Sequence, residues 1–173
     1  MSDNAAVLAP TYLAMGDLER ELATTRRMLE RAPEEFFSWK PHEKSMSLGE
    51  LVAHLSHLLW WNAITLTEDE LDMSKPFPKP VIPDSTEALL RDFDEKADVL
   101  RQIVANFDIA DMARDWTLRA GPQIFLQLPK ADVYRMYCVS HMAHHRGQLS
   151  VYLRLLDVPV PPSYGPTADE GHA

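Results

Sequence analysis

The sequence predicts an all-α protein, a four-helix bundle with long crossover connections, formed by a single domain over residues 1–173. Three observations support this prediction. Four segments repeat apolar residues at the three- and four-residue spacing of a helix. Two of these segments open with a polar residue followed three positions later by glutamate, which is typical of a helix start. The connections are rich in proline or longer than a simple bundle needs.

Each predicted helix has its own start signal or apolar stripe. Ser47 and Glu50 match a capping box, and Asp84 and Glu87 repeat the pattern before the third helix. The segments cover about residues 10–31, about 47–67, a third from about 84 onward, and about 131–156. The predicted inward residues are Met15, Leu18, Leu22 and Leu29; Leu48, Leu51, Leu55, Leu58 and Leu59; and Leu90, Phe93, Ala97, Leu100 and Val104.

The connections differ in character. Residues 71–85 contain four prolines, so they predict an extended crossover between the second and third helices. Residues 107–130 are longer than a bundle loop requires, and long ordered loops are often functional. Within them, two short runs on either side of Gly121 and Pro122 predict a small irregular hairpin.

The composition excludes several classes of function. A net charge of -9 argues against binding to nucleic acid or to an anionic membrane surface, since both need a basic face. The longest apolar run, residues 51–66, is too short to span a bilayer, and the N-terminus does not resemble a secretory signal. Cys138 is the only cysteine, so no internal disulfide can form. We therefore expect a cytoplasmic protein.

Three histidines are placed to meet inside the predicted bundle. His141 and His145 form an H-x-x-x-H pair, and residues four apart lie on the same face of a helix. His54 lies between Leu51 and Leu58 on the apolar surface of the second helix, where an unpartnered imidazole would be costly to bury. Three imidazoles with an open fourth position are typical of catalytic zinc, and nickel or iron also accept imidazole.

The other histidines fit this arrangement less well. His144 lies about 100° around the helix from His145, so it cannot easily share the same ion. His57 is one turn from His54 and lies towards the flank of the helix, so it is the second candidate for the third ligand. Because H-x-x-x-H pairs are common by chance, spacing alone leaves two alternatives equally open: a metal site, or ordinary histidines bonded to their neighbours. The inward face of the last helix also carries Tyr137, Tyr152 and Leu156.

Three blocks of the sequence resemble the DinB/YfiT-like family of proposed metalloenzymes. They are FFSWKPHEKSMSLGELVAHLSHLLWW, HMAHHRGQL and SYGPTADE, and they are spread from about residue 36 to about residue 170. The resemblance implies a four-helix bundle that holds one divalent metal ion, zinc or nickel foremost, with iron or manganese as alternatives. The family's ligand positions fall on His54, His141 and His145, whereas His57 and His144 do not match.

The resemblance also implies a type of chemistry. Relatives transfer or isomerise small-molecule substrates with a low-molecular-weight thiol such as bacillithiol, mycothiol or glutathione. The expected function is thus a metal-dependent thiol S-transferase, or a hydrolase that uses metal-bound water. The rival hypothesis is a non-catalytic metal-binding or interaction protein whose metal pins two helices together. Asp115, Asp132 and Glu170 are candidate general bases that the sequence cannot rank.

Further residues of the signature have structural interpretations. We expect Arg146 to point off the core and either to bind an anionic group or, the favoured alternative, to pair with an acidic neighbour. Gly147 is expected to mark close helix packing. Gln148 is expected to bond either a ligand imidazole or a backbone group, and Cys138 to be a small buried hydrophobe. The second helix is apolar on several faces, so it must be buried on more than one side. A homodimer, which the resemblance also favours, would cover that surface and bury more than ~1,000 Å².

Overall fold

The computed structural model describes residues 18–171, in which long helices enclose one core and a small sheet lies beside them. The helices are α1 (Leu18–Leu29), α2 (Leu48–Thr67), α3 (Thr86–Asn106), α4 (Lys130–Val133) and α5 (Ser140–Leu155), and the strands are β1 (Glu70–Asp72), β2 (Asp115–Ala120) and β3 (Gln123–Pro129). A π-helical segment, Tyr134–Val139, joins α4 to α5, so that residues 130–155 form one last helix. The predicted start of the first helix, residues 10–17 with Met15, lies outside the described residues.

Side-chain caps fix the starts of the two longest helices. The Ser47 hydroxyl accepts a hydrogen bond from the Glu50 N–H at 3.1 Å, and the Glu50 carboxylate accepts one from the Ser47 N–H at 2.7 Å. The predicted capping box is therefore confirmed. The prediction that Asp84 caps the third helix is wrong, because the hydroxyl of Ser85 accepts from the Ala88 N–H instead and α3 begins at Thr86.

Helix α2 is the centre of the core. Thirteen of its 20 residues are buried, and it packs against α3, α5 and the π-helical segment. The buried stripe of α3 is Leu89, Phe93, Ala97 and Leu100. Leu90 and Val104, which the periodicity places inward, are only partly buried at the edge of that stripe. The apolar surface of α2 is thus covered largely within the chain, as burial on more than one side requires.

The all-α prediction is wrong in one respect, since the chain also forms a three-stranded sheet of order β1-β2-β3. The predicted hairpin around Gly121 and Pro122 is confirmed: β2 and β3 are antiparallel, and Gly121 turns the chain with φ 55°. Strand β1 then adds to β2 in parallel. Strand β1 has only three residues, which lie between the end of α2 and the proline-rich crossover. A segment this short carries no period-2 pattern, so β1 could not be predicted from the sequence.

An aromatic contact attaches the sheet to the bundle, and a polar contact joins β1 to the hairpin. Trp116 of β2 is fully buried, and its ring centroid lies 6.2 Å from that of Trp61 on α2. The Asp72 carboxylate accepts a hydrogen bond from the Gly121 N–H at 3.0 Å and pairs with Arg119 at 2.7 Å. Within residues 18–171, no helix is both long and apolar enough to cross a membrane.

Candidate metal centre

The structure brings His54, His141 and His145 together between α2 and α5. The Nε2 atom of His141 lies 3.5 Å from Nε2 of His54 and 2.8 Å from Nε2 of His145. One ring nitrogen from each residue lies within 4.8 Å of the others. At a metal–nitrogen distance of about 2.1 Å, two ligands at 90–109° are about 3.0–3.4 Å apart. The two separations from His141 bracket this range, and the third pair of nitrogens lies within 4.8 Å, so side-chain adjustments would suffice to place all three nitrogens around one ion.

Hydrogen bonds on the far side of two rings fix their orientation. His145 Nδ1 donates to Oε1 of Gln148 at 2.7 Å, and His141 Nδ1 donates to the carbonyl of Tyr137 at 3.3 Å. Because each Nδ1 carries the proton, a neutral ring presents the lone pair of Nε2 to the centre. Acceptors behind ligand imidazoles are the usual partners of metal-bound histidine. Of the two alternatives for Gln148, a bond to an imidazole is the one observed.

The electrostatics favour neutral imidazoles. Burial, together with the nearby His145 and His141, lowers the pKa of His54 to about 4. Burial also lowers the pKa values of His141 and His145. A histidine must be neutral to bind a metal ion, so these rings are in the binding form at neutral pH.

The π-helical segment positions the last helix in a way that the sequence does not signal. It ends at Val139, directly before the helix that carries His141 and His145, and its Tyr137 carbonyl holds the His141 ring. Such segments often occur at functional sites. The wider turn also changes the phase of the helix, and the predicted inward position of Tyr137 is wrong, because its side chain is 40% exposed.

The remaining histidines of α2 and α5 lie outside this group. His57 is buried and stacks on Trp60, with ring centroids 5.0 Å apart. His144 is exposed and touches only the outer side of the cluster through the His145 ring. Among the described residues, the triad is the group of histidine, cysteine and carboxylate side chains with metal-ligand spacing.

An open cleft lies beside His54. Its volume is about 530 Å³. The other lining residues come from the turn before α2, from α2 itself and from the crossover: Lys40, Lys44, Ser45, Met46, Glu50, Ala53, Pro80 and Ile82. We call it the His54 cleft. Its rim is fixed to the last helix, since the Tyr152 hydroxyl donates to the Met46 carbonyl at 3.0 Å. The cleft gives a small molecule access to His54, the residue of the triad that lines it.

Residues next to the triad have structural roles. Arg146 pairs with Glu21 at 2.8 Å as expected, although the prediction that it points off the core is wrong, because it is only 1% exposed. The prediction of close packing at Gly147 is also wrong, since a Cβ atom added there would have no atom of another element within 4 Å. Cys138 is a buried hydrophobe as predicted, and burial raises the pKa of its thiol to about 12.

The candidate general bases lie elsewhere. Asp115 accepts a hydrogen bond from Gln127, and Glu170 pairs with Arg31 on the surface. Neither residue, nor Asp132, is among those that line the His54 cleft. The described residues therefore offer no support for any of the three as a base at the triad. The sequence analysis did not identify Lys40 and Lys44 as site residues, because charged residues in this stretch indicate only a solvated turn.

The sequence model of the DinB family matches residues 1–172, so the chain belongs to the DinB family. It is similar to the uncharacterized protein YrdA of Bacillus subtilis (strain 168), with 24% identity over 156 residues, which cover 88% of this chain and 86% of that protein. A solved DinB-like protein from Bacillus subtilis, YjoA, superposes with a TM-score of 0.68 at 17% identity, over 93% of this chain and 99% of that one.

A DinB-like protein from Bacillus cereus ATCC 10987 superposes with a TM-score of 0.64 at 19% identity, over 84% of this chain and 92% of that one. At these identities the two solved structures bear on the fold, and the chemistry must be argued from the residues present here.

Proposed function

We propose that this protein is a metal-dependent enzyme, and that its reaction is the transfer of a low-molecular-weight thiol to a small electrophile. The observation that carries the proposal is the convergence of three neutral imidazoles beside an open cleft. A purely structural site would be closed by a fourth protein ligand. His57, the nearest candidate on α2, stacks on Trp60 instead.

His54, His141 and His145 would hold one divalent ion. Imidazole suits zinc and nickel best among the candidates, and iron or manganese would also fit the donor set. When bound, the ion would lower the pKa of a coordinated thiol, or of water in the hydrolase alternative, so that the nucleophile forms at neutral pH. Gln148 holds the His145 ring through Nδ1, which keeps Nε2 directed at the ion.

The charges of the His54 cleft favour a thiol over water as the nucleophile. Lys40 and Lys44 line the cleft, and bacillithiol and glutathione both carry carboxylates that a lysine ammonium can bind. The cleft also contains Glu50, whose carboxylate is engaged by the Ser47 N–H as part of the helix cap. In the transfer, the thiolate sulfur bonds to the electrophilic carbon, the leaving group departs with its electron pair, and the thiol proton is released to solvent.

A screen of zinc- and nickel-loaded protein tests this proposal. Each form is incubated with glutathione, bacillithiol or mycothiol and with electrophiles that range from short alkyl halides to chlorodinitrobenzene. We expect thioether formation that depends on the metal, and a KM for the thiol that rises about tenfold in Lys40→Gln/Lys44→Gln. Arg91→Gln on the exposed surface of α3 is the matched control.

Three outcomes would contradict the proposal. Turnover that is independent of the metal would remove the triad from the reaction. Hydrolysis without any thiol would favour the metal-water hydrolase. A loaded protein without activity, whose melting temperature falls steeply on chelation, would favour the structural metal, because an ion that binds only the folded state stabilises it.

We also propose that the protein acts as a cytoplasmic homodimer. Since α2 is covered largely by its own chain, any interface must use other apolar residues. Val151 and Leu155 lie four positions apart on α5 and are 56% and 57% exposed. Light scattering at micromolar concentration distinguishes a monomer from a dimer, and a strictly monomeric mass would contradict the dimer.

A further inference from the structure

A small apolar pocket lies where the sheet meets α2 and the last helix, and His141 forms part of its wall. Its volume is about 70 Å³. The other lining residues are Trp61 of α2, Trp116 and Leu118 of β2, Leu126 of β3, and Val133 and Tyr137 of the last helix. We call it the sheet pocket. It exists because the predicted hairpin β2–β3 folds against the bundle, a contact that the sequence did not signal.

The walls of the sheet pocket are suited to an apolar guest. Trp116 is fully buried and forms its inner wall, whereas Tyr137 is 40% exposed and gives access from solvent. Protein cores are usually close-packed, so a space lined by indole and leucine side chains leaves contacts unmade. An apolar guest could restore these contacts.

The position of the pocket relates it to the triad. His141 lines the sheet pocket, and its Nε2 atom faces those of His54 and His145. The sheet pocket therefore adjoins the triad at the His141 ring. Because a water molecule occupies about 30 Å³ of liquid, the volume corresponds to about two waters or a chain of about three carbons.

We propose that the sheet pocket receives a short alkyl substituent, of about three carbons, on the small molecule that binds at the metal. This inference rests on the proposed metal-dependent function and specifies its substrate class. Chains beyond about four carbons and fused aromatic rings exceed the pocket. Leu118 and Leu126 set the limit, since these paired residues of β2 and β3 line the pocket on the side of the sheet.

A series of metal-binding probes tests the proposal by calorimetry on the zinc-loaded protein. The probes are acetohydroxamate, propionohydroxamate, butyrohydroxamate and hexanohydroxamate, whose common head group binds the ion while the chain varies. We expect affinity to rise roughly fourfold for each methylene buried, up to butyrohydroxamate, with no further gain for hexanohydroxamate.

Variants then assign the gain to this pocket. Leu126→Phe fills it, and Leu118→Phe is a second filling variant should the first be poorly folded. In either variant, the affinity should no longer depend on the chain length of the probe. The affinity for acetohydroxamate should stay within twofold of the wild-type value. Leu155→Phe, at a position 57% exposed on α5, is the matched control and should keep the full dependence.

Each contrary result has a distinct meaning. Equal affinities along the series, or a gain that persists in both filling variants, would overturn the sheet pocket as a substrate site. Failure of zinc to bind would overturn the proposed function and with it the subsite. Crystals pressurised with xenon test for the cavity without any metal. We expect one xenon atom between Trp116 and Leu126. An empty cavity at that place would also overturn the inference.

Discussion

The Nε2 atoms of His141 and His145 lie 2.8 Å apart, while the Nδ1 atom of each ring donates to a carbonyl oxygen on its other side. In two neutral rings with this arrangement, the lone pairs of the Nε2 atoms face each other and repel. A shared cation removes that repulsion, and His54 directs a third nitrogen to the same place. The geometry therefore suits a set of metal ligands better than a set of isolated histidines.

The first prediction concerns metal content. The wild-type protein, loaded with zinc and dialysed, should contain about one ion per chain by elemental analysis. His141→Ala should lose most of it, because two remaining imidazoles bind a divalent ion far more weakly than three. His144→Ala removes an exposed neighbour outside the cluster and should keep the wild-type content. Equal stoichiometry in His141→Ala and the wild type would exclude His141 from the site.

Gln148 provides a second prediction, which separates orientation from ligation. Gln148→Ala removes the acceptor that holds His145 Nδ1 at 2.7 Å, so the ring loses its fixed orientation and part of its basicity. Partners of this kind typically contribute 10–100-fold to metal affinity, and we expect the Kd for zinc to rise at least ~10-fold with the stoichiometry unchanged. The measurement is a competition titration with a chromophoric chelator. Val151→Ala, exposed on the same helix, should leave the Kd unchanged, and an unchanged Kd in Gln148→Ala as well would show that the bond is dispensable.

The histidine cluster could be predicted because its signals are local. The i,i+4 spacing of His141 and His145, and the position of His54 between two leucines, follow from helical geometry alone. The capping box at Ser47 is local in the same way, and it fixes the register of α2 on which His54 lies. Such features depend on residues a few positions apart, so the sequence contains them directly.

The features that required the structure are long-range. Strand β1 is stabilised by pairing with β2, about 45 residues later in the chain, and not by its own three residues. The π-helical turn changes the phase of the last helix, which moves Tyr137 outward compared with an ideal helix. Arg146 is buried because Glu21 and Thr25 of α1 and the Tyr164 ring contact its guanidinium. The His54 cleft and the sheet pocket both combine side chains from segments far apart in sequence. No periodicity within one segment contains that information.

A third prediction follows from Asp72, whose carboxylate joins the end of β1 to the hairpin turn. Hydrogen bonds from Ser74 and from the Gly121 N–H, with Arg119 nearby, hold the pKa of Asp72 well below its usual range. A carboxyl group whose pKa is lower in the folded protein stabilises it above its ordinary pKa near 4, and this stabilisation is lost as the pH falls towards the folded value.

The variant Asp72→Asn should therefore be less stable than the wild type at pH 7, because the amide cannot form the ion pair with Arg119. The gap in unfolding free energy should begin to narrow below about pH 5 and should keep narrowing as the pH falls towards the folded pKa of Asp72, because the wild type then loses the contribution of its carboxylate. Urea titrations at pH 7 and at about pH 3 measure this narrowing. Asp98→Asn removes an exposed partner of Arg101 and serves as the control. If the difference in unfolding free energy between the wild type and Asp72→Asn does not change with pH, Asp72 stabilises the fold through the shape of its side chain and not through its charge.

The last prediction concerns the buried ion pair beside the triad. Arg146 is 1% exposed, and its guanidinium lies 2.8 Å from the Glu21 carboxylate and donates to the Thr25 hydroxyl at 3.0 Å. The Tyr164 hydroxyl donates to the same carboxylate, and its ring covers the guanidinium at 4.9 Å. The pair thus connects α1, the last helix and the C-terminal segment.

Glu21→Ala leaves the Arg146 charge buried without a counterion, which should lower the free energy of unfolding by about 3–5 kcal/mol in urea titrations. The exposed pair of Glu19 with Arg101 is the matched comparison, and Glu19→Ala should cost less than about 1 kcal/mol. The double variant Glu21→Leu/Arg146→Met should recover most of the loss, because a buried ion pair can often be replaced by apolar side chains of similar volume. If Glu21→Ala costs no more than Glu19→Ala, solvent must reach the guanidinium, and Arg146 does not depend on Glu21 for its charge balance.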